Sequence, residues 1–192
     1  ELYNPTGASV NLAGWSLTDA ADNPGKWVFP AVTLPANGYL VVFASDKNRT
    51  PPAGQLHTNF RLSASGEYLG LYDNSTPRQV VDEFSPQFPT QYSDISYGLY
   101  TTPGTYRYFS YPTPGAINDF ASAYLGVVED VTFQVPRGYY DNSFTVTLQS
   151  STPGASIRYS RTGFAPSPTT GSEYTGPVNI YETTTLRAIA YK

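Results

Sequence analysis

The sequence lacks cysteine and methionine altogether among its 192 residues. Without cysteine the fold has neither disulfide bonds nor thiolate metal sites, and this absence fits an exterior compartment as well as the cytosol. Because a complete gene product begins with methionine, the absence of Met predicts a processed chain or part of a longer polypeptide. No apolar run approaches the roughly 18 residues of a membrane-spanning helix, so we expect no membrane span.

Charged residues are also scarce, at 14% of the chain against roughly 25% in an average soluble domain. The net charge is −4, and the 11 lysines and arginines are scattered singly along the chain. Neutralising the phosphates of a nucleic acid requires clustered Lys and Arg. The sequence therefore predicts no nucleic-acid partner.

Aromatic and turn-forming residues are abundant instead. The chain contains 17 Tyr, 17 Pro and 16 Gly, and 40% of its residues are hydrophobic. Tyr, Thr, Val and Phe favour strands, whereas Gly, Pro and Asn favour the turns between strands. This composition is typical of an all-β protein with a packed core.

The first part of the chain has the pattern of short strands separated by turns. Alternation predicts a half-buried strand in "SVNLAGWSLTD" (9–19) and two strands joined by "PANG" within 26–46. The segments "EYLGLYD" (67–73) and "RQVVDEFS" (78–85) are predicted to pair as antiparallel strands across "NSTP". Strands at this spacing without a helical period indicate a sandwich or a small barrel.

A boundary is predicted at "YPTPGAIN" (111–118), after which the strand pattern lapses. The segment 119–130 is the only stretch that could hold a helical turn, and the strand pattern resumes from "VTFQVPRG" onward. We therefore predict two consecutive immunoglobulin-like β-sandwich domains, at 1–119 and 130–192, joined by a short linker at 120–129.

The first segment resembles the lamin-tail domain family in its bacterial secreted form. The residues that carry the resemblance are "ELYNPTGASVNLAGWSLTD", "WVFPAVTLPANGYLVVFAS", "HTNFRLSASGEYLGLYD" and "YPTPGAIN". The second segment is similar to the immunoglobulin-like domain at the C-terminus of chitobiases and β-hexosaminidases, through "PRGYYDNSFTVTLQSSTPGASIRYS" and "SEYTGPVNIYETTTLRAIAYK". Both families have about one strand more at the outer end, which again predicts a piece of a longer polypeptide.

The two resemblances together imply an accessory role in a large secreted bacterial protein. They do not imply hydrolysis of chitin, because the second domain is named for its neighbour and the catalytic carboxylates of those enzymes lie in a separate barrel. The lamin-tail pattern also implies that Trp15 and Trp27 are core residues.

Residues suited to catalysis are few. A glycosidase needs two carboxylates that face each other across a sugar, whereas the adjacent Asp82 and Glu83 are predicted on opposite faces of a strand. The single His57 has no nucleophile motif around it, and we expect it to hydrogen-bond a neighbouring loop. We therefore predict that the chain is not an enzyme.

Metal sites and cofactors are not predicted either. The segments "DAADN" (19–23) and "YYDNS" (139–143) offer oxygen ligands that suit Ca²⁺, with Asp19 and Asp22 as the candidates. Neither segment has EF-hand spacing, so Asx turns are the default interpretation.

An aromatic platform for sugar is the most specific binding activity that the sequence suggests. The segment "YGLYTTPGTYRYFSY" (97–111) is dense in tyrosine, and the candidate stacking residues are Tyr97, Tyr100, Tyr106 and Tyr108. Trp15, Trp27 and Tyr92 are further candidates. Strand alternation would send some of these rings to the core, and an exposed patch would equally suit a contact with another module.

The sequence thus favours a non-catalytic structural or adhesion module, extracellular or at the cell surface, in a larger bacterial protein. Its expected partners are neighbouring domains of the same polypeptide or other copies of the chain. Sheet edges that lack a strand would allow assembly into filaments by strand addition. The alternative is a carbohydrate-binding accessory module of a secreted enzyme, with polysaccharide as its partner.

Overall fold

The chain forms two compact units, Glu1–Leu125 and Gly126–Lys192. This architecture comes from a computed structural model that describes residues 1–51, 54–101 and 104–192. Both units are built from strands, and the described residues include one 3-10 turn, at Phe120–Ser122. The predicted all-β fold with two consecutive units is confirmed.

The described residues of the first unit contain thirteen short strands. They are β1 (Leu2–Tyr3), β2 (Val10–Asn11), β3 (Ser16–Thr18), β4 (Trp27–Val28), β5 (Thr33–Leu34), β6 (Tyr39–Leu40), β7 (Val42–Phe43), β8 (Leu56–His57), β9 (Leu69–Tyr72), β10 (Val80–Phe84), β11 (Ser96–Leu99), β12 (Tyr106–Phe109) and β13 (Ala123–Tyr124).

Among the described strands of the first unit, two sheets are larger than a single pair. One has the order β10–β9–β3–β4, and the other has the order β11–β12–β13. The predicted antiparallel pair across "NSTP" is confirmed as β9 and β10, with a bulge between Val80 and Asp82. The remaining strands pair as β1–β6, β2–β5 and the parallel pair β7–β8.

The predicted strands at 9–19 and 26–46 are wrong in their extent, because turns divide them. Gly14 has a φ of 81°, a left-handed conformation that favours glycine, and the Trp15 amide bonds the Leu12 carbonyl at 3.0 Å. Segment 26–46 contains the four strands β4 to β7 instead of two. The "PANG" turn is present, since the Gly38 amide donates to the Pro35 carbonyl at 3.1 Å.

The core of the first unit gathers apolar side chains from β2 to β9. Trp27 is 2% exposed, and its ring lies 4.8 Å from that of Phe29. The buried members are Leu12, Leu17, Trp27, Phe29, Leu34, Leu56 and Phe60. Trp15 is half-buried and packs against this core, so the lamin-tail pattern placed both tryptophans correctly.

The second unit contains seven strands in three small sheets. They are β14 (Thr132–Phe133), β15 (Phe144–Val146), β16 (Leu148–Gln149), β17 (Ser156–Ser160), β18 (Ser172–Glu173), β19 (Val178–Ile180) and β20 (Arg187–Tyr191). The pairs are β14–β16 and β15–β19, and the third sheet has the order β18–β17–β20. Its core centres on Val146, Leu148, Ile157 and Val178.

The segment that the sequence assigns to a linker is partly folded. The 3-10 turn at Phe120–Ser122 occupies the stretch predicted to hold a helical turn, and Asp119 caps it through the Ala121 amide. Strand β13 then pairs with β12, with Phe109 opposite Ala123. Because β13 pairs with β12, residues 120–125 belong to the first unit and not to a linker. Nowhere in the described ranges is there a helix with the length and apolarity of a membrane span.

Candidate functional site

Three of the four predicted platform residues, Tyr97, Tyr106 and Tyr108, lie on one face of the sheet β11–β12–β13. Tyr97 is directly opposite Tyr108 in the register, and Tyr106 and Tyr108 are two positions apart on β12. Side chains two apart on a strand share a face, as do directly opposed residues. The ring of Tyr97 lies 4.9 Å from that of Tyr108 and 5.8 Å from that of Tyr106, between centroids.

These rings belong to a larger packed group, which we call the tyrosine cluster. Its members are Phe84, Tyr92, Tyr97, Tyr106, Tyr108 and Tyr124. Phe84 of β10 lies 5.0 Å from Tyr106 and 6.1 Å from Tyr97. Because Phe84 belongs to the sheet β10–β9–β3–β4, the cluster joins the two larger sheets of the first unit.

The tyrosines of the cluster are buried or half-buried. Tyr108 is 7% exposed, and its hydroxyl donates a hydrogen bond of 2.7 Å to the Thr90 carbonyl. Burial raises the pKa of Tyr97, Tyr106, Tyr108 and Tyr124 above the ordinary value for tyrosine. In this arrangement each ring of the cluster packs against at least one other ring.

Tyr100 lies apart from the other three platform candidates. Its ring contacts Phe120 at 5.3 Å and the Arg107 guanidinium at 5.6 Å. Arg107 stands between Tyr106 and Tyr108 on β12, so its side chain points to the opposite face of the sheet. The structure therefore does not gather the four candidate tyrosines into one surface.

His57 is a buried histidine on β8, 7% exposed. Its Nδ1 lies 2.8 Å from the Ser45 hydroxyl, and its ring stacks on Phe43 with centroids 5.1 Å apart. Burial lowers the pKa of His57, and the nearby charges of Lys47 and Arg49 lower it further. The ring is neutral at pH 7 and holds the segment after β7, in agreement with the sequence interpretation.

The two calcium candidates, Asp19 and Asp22, differ in their surroundings. The Asp19 carboxylate binds the Lys26 ammonium at 2.6 Å, so a cation from the chain already occupies it. Asp22 is exposed. Within residues 1–51, 54–101 and 104–192, no three or more His, Cys, Asp or Glu side chains are grouped so that they could hold a metal ion.

The adjacent carboxylates of β10 take part in local hydrogen bonds. Asp82 accepts the Glu83 amide at 2.9 Å, and Glu83 accepts the Tyr68 hydroxyl at 2.8 Å. They pair with Leu71 and Gly70 in succession, which puts their side chains on opposite faces. They are edge charges rather than a pair that flanks a substrate.

The second unit has a cleft that the sequence analysis missed. The cleft has a volume of about 750 Å³ and lies between the loop 136–143 and the loop 181–184. Tyr139, Tyr140 and Tyr181 line it. The signal in the sequence is the Tyr–Tyr pair of "YYDNS", a segment that the sequence analysis considers only for its calcium ligands.

Comparison with known families supports a pair of accessory domains. Residues 1–87 match the family model of the Lamin Tail Domain, and residues 135–192 match that of the Chitobiase/beta-hexosaminidase C-terminal domain. No curated protein and no solved structure matches the chain. Both families are immunoglobulin-like accessory domains rather than catalytic ones. The chain is therefore similar to an accessory module of a larger protein, with a region that matches the lamin-tail family followed by a region that matches the chitobiase C-terminal family.

Proposed function

We propose that the chain is a non-catalytic structural module of a secreted or cell-surface protein, which spaces the neighbouring domains of the same polypeptide. The chitobiase-type domain supports the extracellular setting. The partners in this proposal are the domains that flank the two units.

The observation that carries the proposal is that the groups suited to chemistry are engaged in packing. The rings of the tyrosine cluster contact one another, His57 is held by Ser45, and Asp19 is held by Lys26. A catalytic group must instead reach a substrate in a plausible pose. These contacts support a role in stability rather than in turnover.

Strand β10 lies at an exposed sheet edge, and the features that protect this edge favour a spacer over a filament. Val80 and Val81 are 46% and 48% exposed on this edge strand, which would suit strand addition by another chain. The bulge at Val81 and the charges of Asp82 and Glu83 oppose such pairing. Natural sheets use these same devices against edge-to-edge association.

Sedimentation velocity of the 192-residue chain tests the proposal. A spacer stays monomeric over a wide range of concentrations. Oligomers that grow with concentration would contradict it and would support the filament alternative, in which copies of the chain bind each other.

The carbohydrate-binding alternative needs a different surface from the tyrosine cluster. Because Tyr97, Tyr106 and Tyr108 pack against other rings, they are poor candidates for stacking on a sugar. The cleft in the second unit is the observation that favours this alternative.

A further inference from the structure

We propose that the cleft of the second unit binds a neutral oligosaccharide. This function goes beyond the structural role proposed above and does not depend on it. The cleft has a volume of about 750 Å³, which lies within the range of roughly 300–1,000 Å³ for ligand pockets. Its lining combines exposed aromatic rings with short polar side chains.

The floor of the cleft is apolar and belongs to the core of the second unit. The cleft is lined by apolar side chains that also pack against the buried core of the second unit, namely Val135, Phe144, Ile180 and Leu186. A floor that is part of the core keeps its shape without a ligand. The cleft is therefore largely formed before binding, which lowers the entropic cost of association.

Tyr140 is held as a fixed wall of the cleft. Its ring lies 4.4 Å from that of Phe144, and its hydroxyl donates to the Pro136 carbonyl at 2.7 Å. The side chain is still 46% exposed. A ring that is fixed at both ends and partly open to water is suited to contact with the C–H face of a pyranose.

Tyr181 presents one ring face from the opposite wall. The Arg161 guanidinium lies 4.7 Å from its ring centroid, and an Arg161 nitrogen donates to the Tyr181 hydroxyl at 3.3 Å. Arg161 does not line the cleft, whereas Tyr181 does. The arginine thus covers one face of the ring and leaves the other for the cleft.

The rim of the cleft supplies a further aromatic ring and hydrogen-bonding groups. Tyr139 is fully exposed, so its ring is accessible to a ligand at the rim of the cleft. Asn142, Ser143 and Thr183 line the cleft near the aromatic rings. Amide and hydroxyl groups both donate and accept, as the hydroxyl groups of a sugar require.

The charges of the cleft select a neutral ligand. Its lining contains one cation, Arg137, and two anions, Asp141 and Glu182. Binding of sulfate, phosphate or uronate groups requires an excess of Lys and Arg. Binding of a neutral pyranose chain does not require an excess of cations, and the charged groups of the cleft can still form strong hydrogen bonds with its hydroxyl groups.

The test is biolayer interferometry with the full chain immobilised and polysaccharides in solution. The probes are hydroxyethyl cellulose, soluble starch and glycol chitin, with heparin as the anionic comparison. The variants are Tyr139→Ala and Tyr181→Ala. Tyr111→Ala in the first unit is the matched control, because Tyr111 is 68% exposed and Tyr181 is 66% exposed. Thermal unfolding of each variant verifies its fold, and Tyr181→Phe retains the ring if Tyr181→Ala fails to fold.

We expect at least one neutral probe to bind, and each cleft variant to weaken that binding by about tenfold, the effect of one lost stacking contact. Tyr111→Ala and Tyr181→Phe should bind like the parent chain. The proposal is overturned if no neutral probe binds, if heparin alone binds, or if Tyr181→Ala binds as tightly as Tyr111→Ala. It is also overturned if Tyr181 proves to mediate self-association in sedimentation. If no polysaccharide binds in interferometry, the spacer proposal is unaffected, because sedimentation velocity without polysaccharide tests the spacer proposal separately.

Discussion

Replacing Tyr97 with alanine should destabilise the first unit, because Tyr97 contacts three other rings of the tyrosine cluster. Those rings, of Tyr108, Tyr106 and Phe84, lie at 4.9, 5.8 and 6.1 Å. Truncation of a fully buried aromatic side chain to Ala costs about 3–5 kcal/mol. Tyr97 is half-buried, so we expect the free energy of unfolding to fall by about 2 kcal/mol.

Tryptophan fluorescence in a urea titration measures this loss selectively. Both tryptophans of the chain, Trp15 and Trp27, lie in the first unit, so the signal reports the unfolding of that unit. With a urea dependence of about 1–3 kcal/mol per molar, the midpoint should fall by about 1 M.

The control for this experiment is Tyr111→Ala, which removes a tyrosine that is 68% exposed from the same unit. Surface substitutions change stability by at most about 0.5 kcal/mol, so its midpoint should move little. If Tyr97→Ala lowers the midpoint no more than Tyr111→Ala does, the tyrosine cluster is not a packing element and the reasoning fails.

Three further substitutions test other parts of the first unit. Gly66→Ala should lower the free energy of unfolding by more than about 2 kcal/mol, because Gly66 has a φ of 93° and an added Cβ would collide with the Phe88 carbonyl oxygen. Gly7→Ala is the control, since a Cβ added at Gly7 meets open space. Equal urea midpoints for the two variants would refute this prediction. The pKa of His57 is lowered below 6.5 in the folded state. The unfolded state therefore binds the proton at a higher pH than the folded state does, and stability falls as the pH drops below 6.5. His57→Gln should reduce this loss of stability, and an unchanged pH profile of stability in the variant would contradict the prediction. Asp82→Val should promote concentration-dependent association in light scattering, and a variant that stays monomeric would show that this charge does not protect the edge.

The sequence predicted the features of the fold that depend on local patterns. The β9–β10 pair follows from two alternating segments around "NSTP", and the "PANG" turn follows from its own residues. The strand pattern that resumes from "VTFQVPRG" onward is confirmed by the strands β14 to β20 of the second unit.

Features that depend on contacts distant in sequence were missed. Alternation separates the side chains of β12 into two faces, but it does not show that Phe84 covers one of them. The predicted platform included Tyr100 for this reason, although that ring lies with Arg107 and Phe120.

The cleft of the second unit was missed for the same physical reason. Its walls come from the loops 136–143 and 181–184, which are far apart in the chain. No local pattern shows that Tyr140 and Tyr181 line one cavity. The Tyr139–Tyr140 pair is visible in the sequence, but its exposure follows only from the fold.

Spectrophotometric titration of the tyrosines with alkali tests most directly the claim that the tyrosine cluster is a packed structural element. Burial raises the pKa of Tyr97, Tyr106, Tyr108 and Tyr124 above the ordinary value near 10.0. The account predicts a late-ionising fraction that disappears in urea and becomes smaller in Tyr97→Phe and Tyr108→Phe. A single ionisation of all 17 tyrosines near pH 10.0 in the folded chain would contradict the account.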